Sequence, residues 1–420
     1  MKAKESAFSL RRVLFTLHLW MGLGSGLLFS LVCATGFYLA IHPQLESRAR
    51  SHTPASAQGV RLSAEEIVAK VTPFAVPHRI EIPAREGELW KLRGEKGSLY
   101  VNPSTGEVLE PLWGDSYNWV KKLHRFLLLD HKIGRPITGA ATLMYIFLMF
   151  SGVYLWWKKS ARNPMRGLSF KRGAGWKRTF YDAHLALGMY AMIPLTLMAV
   201  TGLWWSYREP AKAVIYWTLD GAVPEAPQKK KKEEKKEEEI PPRTDLPYAS
   251  LLETVNREFP YEGIVRLNMP DHDATEVTIL KTREPGFWRM PTRDELTVDL
   301  ETGQIIKRKL FADKTRAEQF TSLIYDIHTG YAWGDLTLIL YLIACVVGTS
   351  LPITGTVMWF NRMQGQRRSR EIMARRQRNE AGGKKPRPQV KMAATDGVSA
   401  GAAPSGGPSE AQPLESSTPT

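Results

Sequence analysis

Four long stretches of this 420-residue chain contain no Asp, Glu, Lys or Arg, and they constrain the fold more than any other feature. They cover residues 13–41, 137–157, 183–207 and 336–361. An α-helix needs about 20 apolar residues to cross a bilayer. Each stretch is long enough, so we predict a membrane protein with four transmembrane α-helices, which excludes a soluble cytosolic enzyme.

The positive charge of the chain is concentrated at alternate ends of these stretches. The net charge is +15, and residues 1–13, 158–182 and 361–420 together carry 23 Lys and Arg but only 7 Asp and Glu. Cytoplasmic segments of membrane proteins show such an excess. We therefore expect both termini and the middle basic segment in the cytoplasm. A basic tail can also contact anionic membrane lipid, and no nucleic-acid partner is expected.

The stretches divide the chain into alternating helices and extramembrane segments. We predict a cytoplasmic N-terminus at 1–12 and a cytoplasmic loop at 158–182. The transmembrane helices are expected at 13–41, 133–157, 183–207 and 335–361. The two periplasmic segments are 42–132 and 208–334, the second with a charged linker at 229–239, and the cytoplasmic tail is 362–420, basic and then disordered by composition.

The two halves of the chain repeat the same motifs. Each half has a His-x-x-x-Gly motif in its first stretch, with a Thr-Gly pair 17 residues after the His. The matching positions are His18 and His184, Gly22 and Gly188, and the pairs Thr35-Gly36 and Thr201-Gly202. His124 and His328, ahead of the second and fourth stretches, precede Gly152 and Gly355 by 28 and 27 residues. We therefore interpret the fold as two parallel span-domain-span repeats.

The periplasmic segments repeat as well. In each, a predicted helix (64–71 and 248–259) precedes a pair of strands joined by a tight Thr-Gly turn (100–109 and 297–306). Strands that flank such a turn pair as a hairpin. We predict a small α+β module with an antiparallel sheet in each segment.

Four histidines occupy repeat-related positions, with one pair expected near each membrane face. His18 and His184 lie at the cytoplasmic ends of their helices, and His124 and His328 lie near the periplasmic ends of the other two. Ionisable side chains within a membrane protein's spans are functional candidates by default. Two neutral imidazoles that face each other across an apolar cavity can hold a b-type haem.

The glycines of the repeated motif fit the same interpretation. Gly22 and Gly188 remove side-chain volume beside the cytoplasmic pair, which would leave room for a porphyrin. The chain has no Cys-x-x-Cys-His motif, so covalent c-type attachment is excluded. Cys33 and Cys345 fall within apolar stretches and are interpreted as packing residues.

Simpler and alternative interpretations of these histidines remain open. A single histidine at a helix end is more often an interfacial or capping residue than a metal ligand. His131 follows His124 by 7 residues, which places it on the same face of a helix by the 3.6-residue period, and it could replace His124 as a ligand. His42, at the outer end of the first stretch, is a second alternative ligand.

The repeated motifs, the two Thr-Gly turns and the sequence Leu123-His124-Arg125-x-Leu127-Leu128 resemble the PepSY-associated transmembrane family over about residues 10–362. That family includes iron-regulated inner-membrane proteins and siderophore-iron reductases of Gram-negative bacteria. The resemblance implies a bacterial inner-membrane protein with two periplasmic PepSY modules. In the reductase members it implies b-type haems, and the four repeat-related histidines fall on the family's motif positions. We expect two haems in this chain, one for each histidine pair.

Two functions of different classes follow. The first is a di-haem oxidoreductase that reduces a periplasmic ferric siderophore or other ferric chelate and releases Fe(II). Its electrons would come from a quinol or a separate donor protein, because no cytoplasmic segment is large enough for a nicotinamide or flavin domain. The second is a haem-free, membrane-anchored protein that binds or regulates a periplasmic protease or peptide. A transporter is disfavoured because the four stretches lack charged residues.

Overall fold

The fold is known from a computed structural model that describes residues 9–50, 62–85, 87–94, 97–160, 163–223, 244–286 and 289–381. The charged linker 229–239 and the tail beyond residue 381 lie outside the described residues. The described residues up to 364 form one compact unit, and residues 365–381 belong to another.

Helices and strands alternate along the described part of the chain. The helices are α1 (Leu10–Arg50), α2 (Ala64–Val71), α3 (Ser116–Phe126), α4 (His131–Ser160), α5 (Pro164–Leu168), α6 (Trp176–Ser206), α7 (Arg208–Asp220), α8 (Tyr248–Glu258), α9 (Arg316–Thr329) and α10 (Asp335–Ala381). The strands are β1 (Pro77–Ile82), β2 (Trp90–Gly94), β3 (Gly97–Val101), β4 (Val108–Leu109), β5 (Ile264–Asn268), β6 (Glu276–Arg283), β7 (Thr292–Asp299) and β8 (Ile305–Lys309).

Four helices of the described part, α1, α4, α6 and α10, are long and apolar enough to cross a membrane. An α-helix satisfies its backbone hydrogen bonds internally, as a segment in lipid requires. The four predicted spanning helices are thus present. The helices α1 and α10 extend well beyond the uncharged stretches, to Arg50 and Ala381, because polar residues outside the bilayer can continue a helix.

Small residues let the spanning helices approach closely. A shared core contains Cys33 of α1, Tyr145 of α4, Leu195 of α6 and Leu351 of α10. A Cβ atom on Gly348 would lie only 2.7 Å from the Cys33 sulfur. Close packing of this kind holds helices together in lipid, where no hydrophobic effect operates between them. Both cysteines are free and buried, as their apolar context predicted.

The strands of the two extramembrane segments form one antiparallel sheet in the order β4-β3-β2-β1-β5-β6-β7-β8. The two halves meet where β1 pairs with β5, with Ile80 opposite Leu267. Helices α2 and α8 contact each other and bury Ile67 and Val255 in the same core as these strands. The antiparallel strands were predicted, whereas their union in a single sheet was not.

Two amphipathic helices, α3 and α9, lead from the sheet to the spanning helices and carry His124 and His328. Helix α3 packs on α1 and α4, and α9 packs on α6. Helix α9 is also tied to the sheet, because Arg293 of β7 donates from Nη2 to both carboxylate oxygens of Asp326 at 2.7 and 2.8 Å. The position of His328 therefore depends on the folded sheet.

The predicted common helical face of His124 and His131 is wrong. Helix α3 ends at Phe126, and Leu127 and Leu128 have φ values of 57° and 60°. This left-handed conformation is uncommon for residues other than glycine. It reverses the chain before α4 begins at His131, so the two histidines belong to different helices.

Candidate functional site

The four repeat-related histidines line two cavities at opposite ends of the helical bundle. His18 and His184 line a cavity of about 410 Å³ next to the loop between α4 and α6, here called the loop-side cavity. His124 and His328 line a cavity of about 240 Å³ beneath the extramembrane segments, here called the domain-side cavity. The structure thus places both histidines of each predicted pair in the same cavity.

The two histidine rings of the domain-side cavity lie close together, with the edge of one directed at the other. The ring centroids of His124 and His328 are 6.3 Å apart, and the ring planes are inclined at 65°. A metal ion bound to both rings, with bonds of about 2.0 Å and ring centres about 1.2 Å beyond each nitrogen, would separate the centroids by about 6.4 Å. The gap therefore has the width that two imidazoles on one metal ion require.

Each of the four imidazoles contacts a hydroxyl group on a neighbouring spanning helix. The Nδ1 atoms lie 2.8–3.1 Å from these hydroxyl oxygens, in the pairs His18–Ser151, His124–Thr35, His184–Thr354 and His328–Thr201. Three rings also lie 2.9–3.1 Å from the backbone carbonyl three residues before the hydroxyl, in the pairs His124–Val32, His184–Leu351 and His328–Met198. We call the hydroxyl beside each ring, together with the carbonyl where one is present, an Nδ1 cradle.

The Nδ1 cradles determine which ring nitrogen carries the proton. The hydroxyls of Thr35 and Ser151 donate to the carbonyls of Leu31 and Leu148 in their own helices, at 2.7 and 3.1 Å. Their oxygens are therefore left to accept from the ring, and a backbone carbonyl can only accept. Nδ1 must be the protonated nitrogen, and Nε2 keeps the free lone pair with which a neutral imidazole binds metal.

A glycine follows every cradle hydroxyl and permits the close approach of the ring. A Cβ atom at these glycines would lie 3.2–3.4 Å from the imidazole Cε1, in the pairs Gly36–His124, Gly152–His18, Gly202–His328 and Gly355–His184. The two Thr-Gly pairs were recognisable in the sequence, but their histidine partners were not. Gly152 and Gly355 were predicted only as repeat markers, and Ser151 and Thr354 were missed, although a Ser/Thr-Gly pair in every stretch was the available signal.

Both cavities are lined by cationic side chains and, among the described residues, by no carboxylate. The loop-side cavity has Lys177 and Arg362. The domain-side cavity has Lys121, Arg125 and Arg135. Burial and the Arg135 guanidinium lower the pKa of Arg125.

An aromatic pair separates the two cavities. Phe29 of α1 and Tyr145 of α4 line both, and their rings stack with centroids 3.8 Å apart and planes 12° apart. The Tyr145 hydroxyl donates to the Met149 sulfur at 3.0 Å. The two histidine pairs are therefore separated by a thin, apolar wall.

The alternative ligands lie elsewhere. The His131 side chain is 58% exposed and lies 3.9 Å from Asp130, and it lines neither cavity. His42 is buried against the rings of Trp113 and Tyr117 and likewise lines neither cavity. Of the two predicted packing glycines, Gly22 lines the loop-side cavity, whereas Gly188 packs against Leu351.

Comparison with known proteins identifies the family of this chain. A family model described as the PepSY-associated TM region matches residues 15–362. The chain belongs to the PepSY-associated TM family. The match begins and ends at Phe15 and Arg362, two residues that line the loop-side cavity, so the PepSY-associated TM region contains both histidine pairs and all four Nδ1 cradles. A search of curated proteins finds no match.

Proposed function

We propose that this member of the PepSY-associated TM family is a di-haem oxidoreductase of the bacterial inner membrane. It would pass electrons across the membrane to a ferric siderophore or other ferric chelate in the periplasm and release Fe(II) for iron uptake. The observation that carries this proposal is the fourfold Nδ1 cradle, which leaves two pairs of imidazoles with free Nε2 lone pairs, one pair in each cavity.

The residues present fit a haem better than a bare metal ion. In the described part of the chain, no group of three or more His, Cys, Asp or Glu side chains could hold a metal ion. Two imidazoles supply only two ligands, so the others must come with a cofactor such as a porphyrin. His18 with His184, and His124 with His328, would provide the axial ligands of two b-type haems.

The protein's own residues have three tasks in such a site. The Nδ1 cradles orient the rings and hold their protons, the apolar cavity linings exclude water, and the Phe29–Tyr145 stack keeps the two sites adjacent without merging them. A b-type haem, when bound, supplies a one-electron Fe(III)/Fe(II) couple. An acceptor Fe(III) that gains one electron becomes Fe(II), which binds hard oxygen ligands less tightly and is released.

The distribution of charged residues supports electron transfer from the cytoplasmic side of the membrane to the periplasmic side. The excess of Lys and Arg in residues 1–13, 158–182 and 361–420 supports a cytoplasmic location for both termini and the loop, so the sheet would lie in the periplasm. The loop between α4 and α6 is too short for a nucleotide-binding domain, which favours a quinol or a separate protein as electron donor.

The arrangement of the ligands also supports two span-domain-span repeats. Each half of the chain contributes one histidine to each cavity: His18 and His124 from the first half, and His184 and His328 from the second. Equivalent residues therefore meet in pairs, as parallel repeats would arrange them.

The proposal is tested by optical spectroscopy of the intact chain purified in detergent. We expect two b-type haems per chain by pyridine haemochrome assay, with low-spin bands of bis-histidine ligation after dithionite reduction. A ferric chelate added to the reduced protein should reoxidise it and yield Fe(II), measured with a ferrous-specific chromophore. Protein without haem, made with ample haem supply, would overturn the proposal and favour a haem-free binding or regulatory protein.

A further inference from the structure

Three cations of the described residues, Lys121, Arg125 and Arg135, lie at the domain-side cavity without an ion pair to a carboxylate. Lys121 donates to the amide oxygen of Asn118 at 3.0 Å, and Arg135 donates to the backbone carbonyl of Trp205 at 2.6 and 3.0 Å. The Nε atom of Arg125 is buried without a hydrogen-bond partner. Within the described residues, none of the three forms an ion pair with a carboxylate.

A second polar group in the same cavity also lacks a partner. The Tyr341 hydroxyl is buried without a hydrogen bond, and the residue is only 5% exposed. An unsatisfied buried polar atom destabilises the folded protein. Two such atoms, on Arg125 and Tyr341, therefore indicate that a ligand supplies hydrogen-bond acceptors inside this cavity.

The general charge distribution of the chain does not account for these cations. Lys177 and Arg362 of the loop-side cavity belong to the basic segments that flank one end of the bundle. Lys121, Arg125 and Arg135 lie at the other end, where the chain as a whole has no excess of positive charge. Cations beside an apolar cavity are costly unless they are neutralised, so a local anion is the simplest reason for their presence.

We infer that Lys121, Arg125 and Arg135 form a carboxylate-binding site at the domain-side cavity, with Tyr341 as an additional donor. This inference rests on the proposed function, because the carboxylates are assigned to the propionate groups of the haem held by His124 and His328. Guanidinium groups bind carboxylates through paired, charge-assisted hydrogen bonds. The site would bind the propionates of that haem and raise its reduction potential, since nearby positive charge favours Fe(II) over Fe(III).

The test uses a His18→Ala background, which is expected to retain only the domain-side haem. In that background, Arg125→Gln and Lys121→Gln should each release haem to apomyoglobin about tenfold faster, the effect of one charge-assisted hydrogen bond. Each should also lower the midpoint potential in a redox titration. Arg125→Lys keeps the positive charge and should therefore change both the release rate and the potential less than Arg125→Gln does. Lys121→Gln removes only a partly exposed contact, so its effect is not expected to come from a folding defect. Lys122→Gln is the matched control, because Lys122 is exposed on the same helix and lines neither cavity.

The outcomes separate this inference from the proposed function. Protein with no haem in the wild-type chain overturns both. Haem that is bound in the wild type, with release rate and potential unchanged in Arg125→Gln and Lys121→Gln, overturns only the propionate assignment. If those variants instead raise the KM for the ferric chelate alone, the cations bind the soluble acceptor and the assignment is wrong. Equal effects of Lys121→Gln and Lys122→Gln would also contradict it.

Discussion

The loop-side and domain-side cavities hold their histidines in the same kind of cradle but position them by different means. Both histidines of the loop-side cavity belong to spanning helices, His18 to α1 and His184 to α6. Those of the domain-side cavity belong to α3 and α9, which lie between the sheet and the spans. The loop-side site therefore depends on membrane-helix packing alone, whereas the domain-side site also depends on the folded sheet.

The cavities differ in their polar surroundings as well. Three cations and the buried Tyr341 hydroxyl line the smaller, domain-side cavity, against two cations in the loop-side cavity. A haem in the domain-side cavity should therefore have the higher reduction potential, because the stronger local positive charge favours the reduced form. Electrons would then move from the loop side to the domain side, towards the proposed acceptor.

Replacing one cavity histidine at a time should give the largest effect, a loss of bound haem. His328→Ala should abolish the domain-side haem and leave the loop-side haem, and His184→Ala should do the reverse, because each haem loses an axial ligand. The haem content by pyridine haemochrome assay should fall from two to one per chain in each variant. His272→Ala, in an exposed turn, is the control. Loss of both haems from either single variant would show that the sites are not independent.

The connection between the sheet and α9 should matter for only one cavity. Asp326→Ala leaves Arg293 without its buried partner, which typically costs about 3–5 kcal/mol. We expect earlier thermal loss of the domain-side haem absorbance and an unchanged loop-side transition. Arg85→Ala breaks an exposed pair with Glu88 and should cost less than about 1 kcal/mol. Equal weakening of both haem transitions by Asp326→Ala would remove the distinction between the cavities.

The cradle hydroxyls should affect both cavities to a similar degree. Thr201→Val and Thr354→Val remove the hydroxyl acceptors for the Nδ1 protons of His328 and His184 and leave only the backbone carbonyls of Met198 and Leu351. Loss of such a supporting contact typically weakens metal binding by about 10–100-fold, so each variant should release its own haem faster in apomyoglobin transfer. Thr349→Val is the control, since that hydroxyl donates to the Cys345 carbonyl at 2.8 Å and Thr349 lines neither cavity. Equal haem release by Thr201→Val and the control would mean that the cradle does not support the ligand.

The cradle glycines should give the smallest effect. A Cβ atom on Gly202 would lie 3.2 Å from His328 Cε1, so the ring must shift by a few tenths of an ångström. Gly202→Ala should cost about 1 kcal/mol, roughly a fivefold faster release of the domain-side haem. Gly24→Ala introduces a methyl group with no atom within 4 Å and should leave release unchanged. Slower release in Gly202→Ala would show that the ring gains from the added contact.

Some features of the site could be predicted because they are local in sequence. The repeat-related spacing identified all four cavity histidines, and the Thr-Gly pairs marked half of the cradles. The ligand alternatives could not be resolved in the same way. Helical periodicity made His131 a plausible ligand. The left-handed turn at Leu127 and Leu128 separates His131 from His124, and it could not be predicted because the turn contains no glycine.

The sequence by itself determined that four helices are long and apolar enough to cross a membrane, and that His18 and His184 lie near the ends of two of them, because exclusion of charge and helical periodicity act over short distances along the chain. Only the tertiary structure decided which hydroxyl holds which ring: Ser151 lies 133 residues from His18, and Thr354 lies 170 residues from His184. It also joined β1 to β5 and gathered Lys121, Arg125 and Arg135 around one cavity. These contacts join segments that are remote along the chain, and they form only when the helices and the sheet pack.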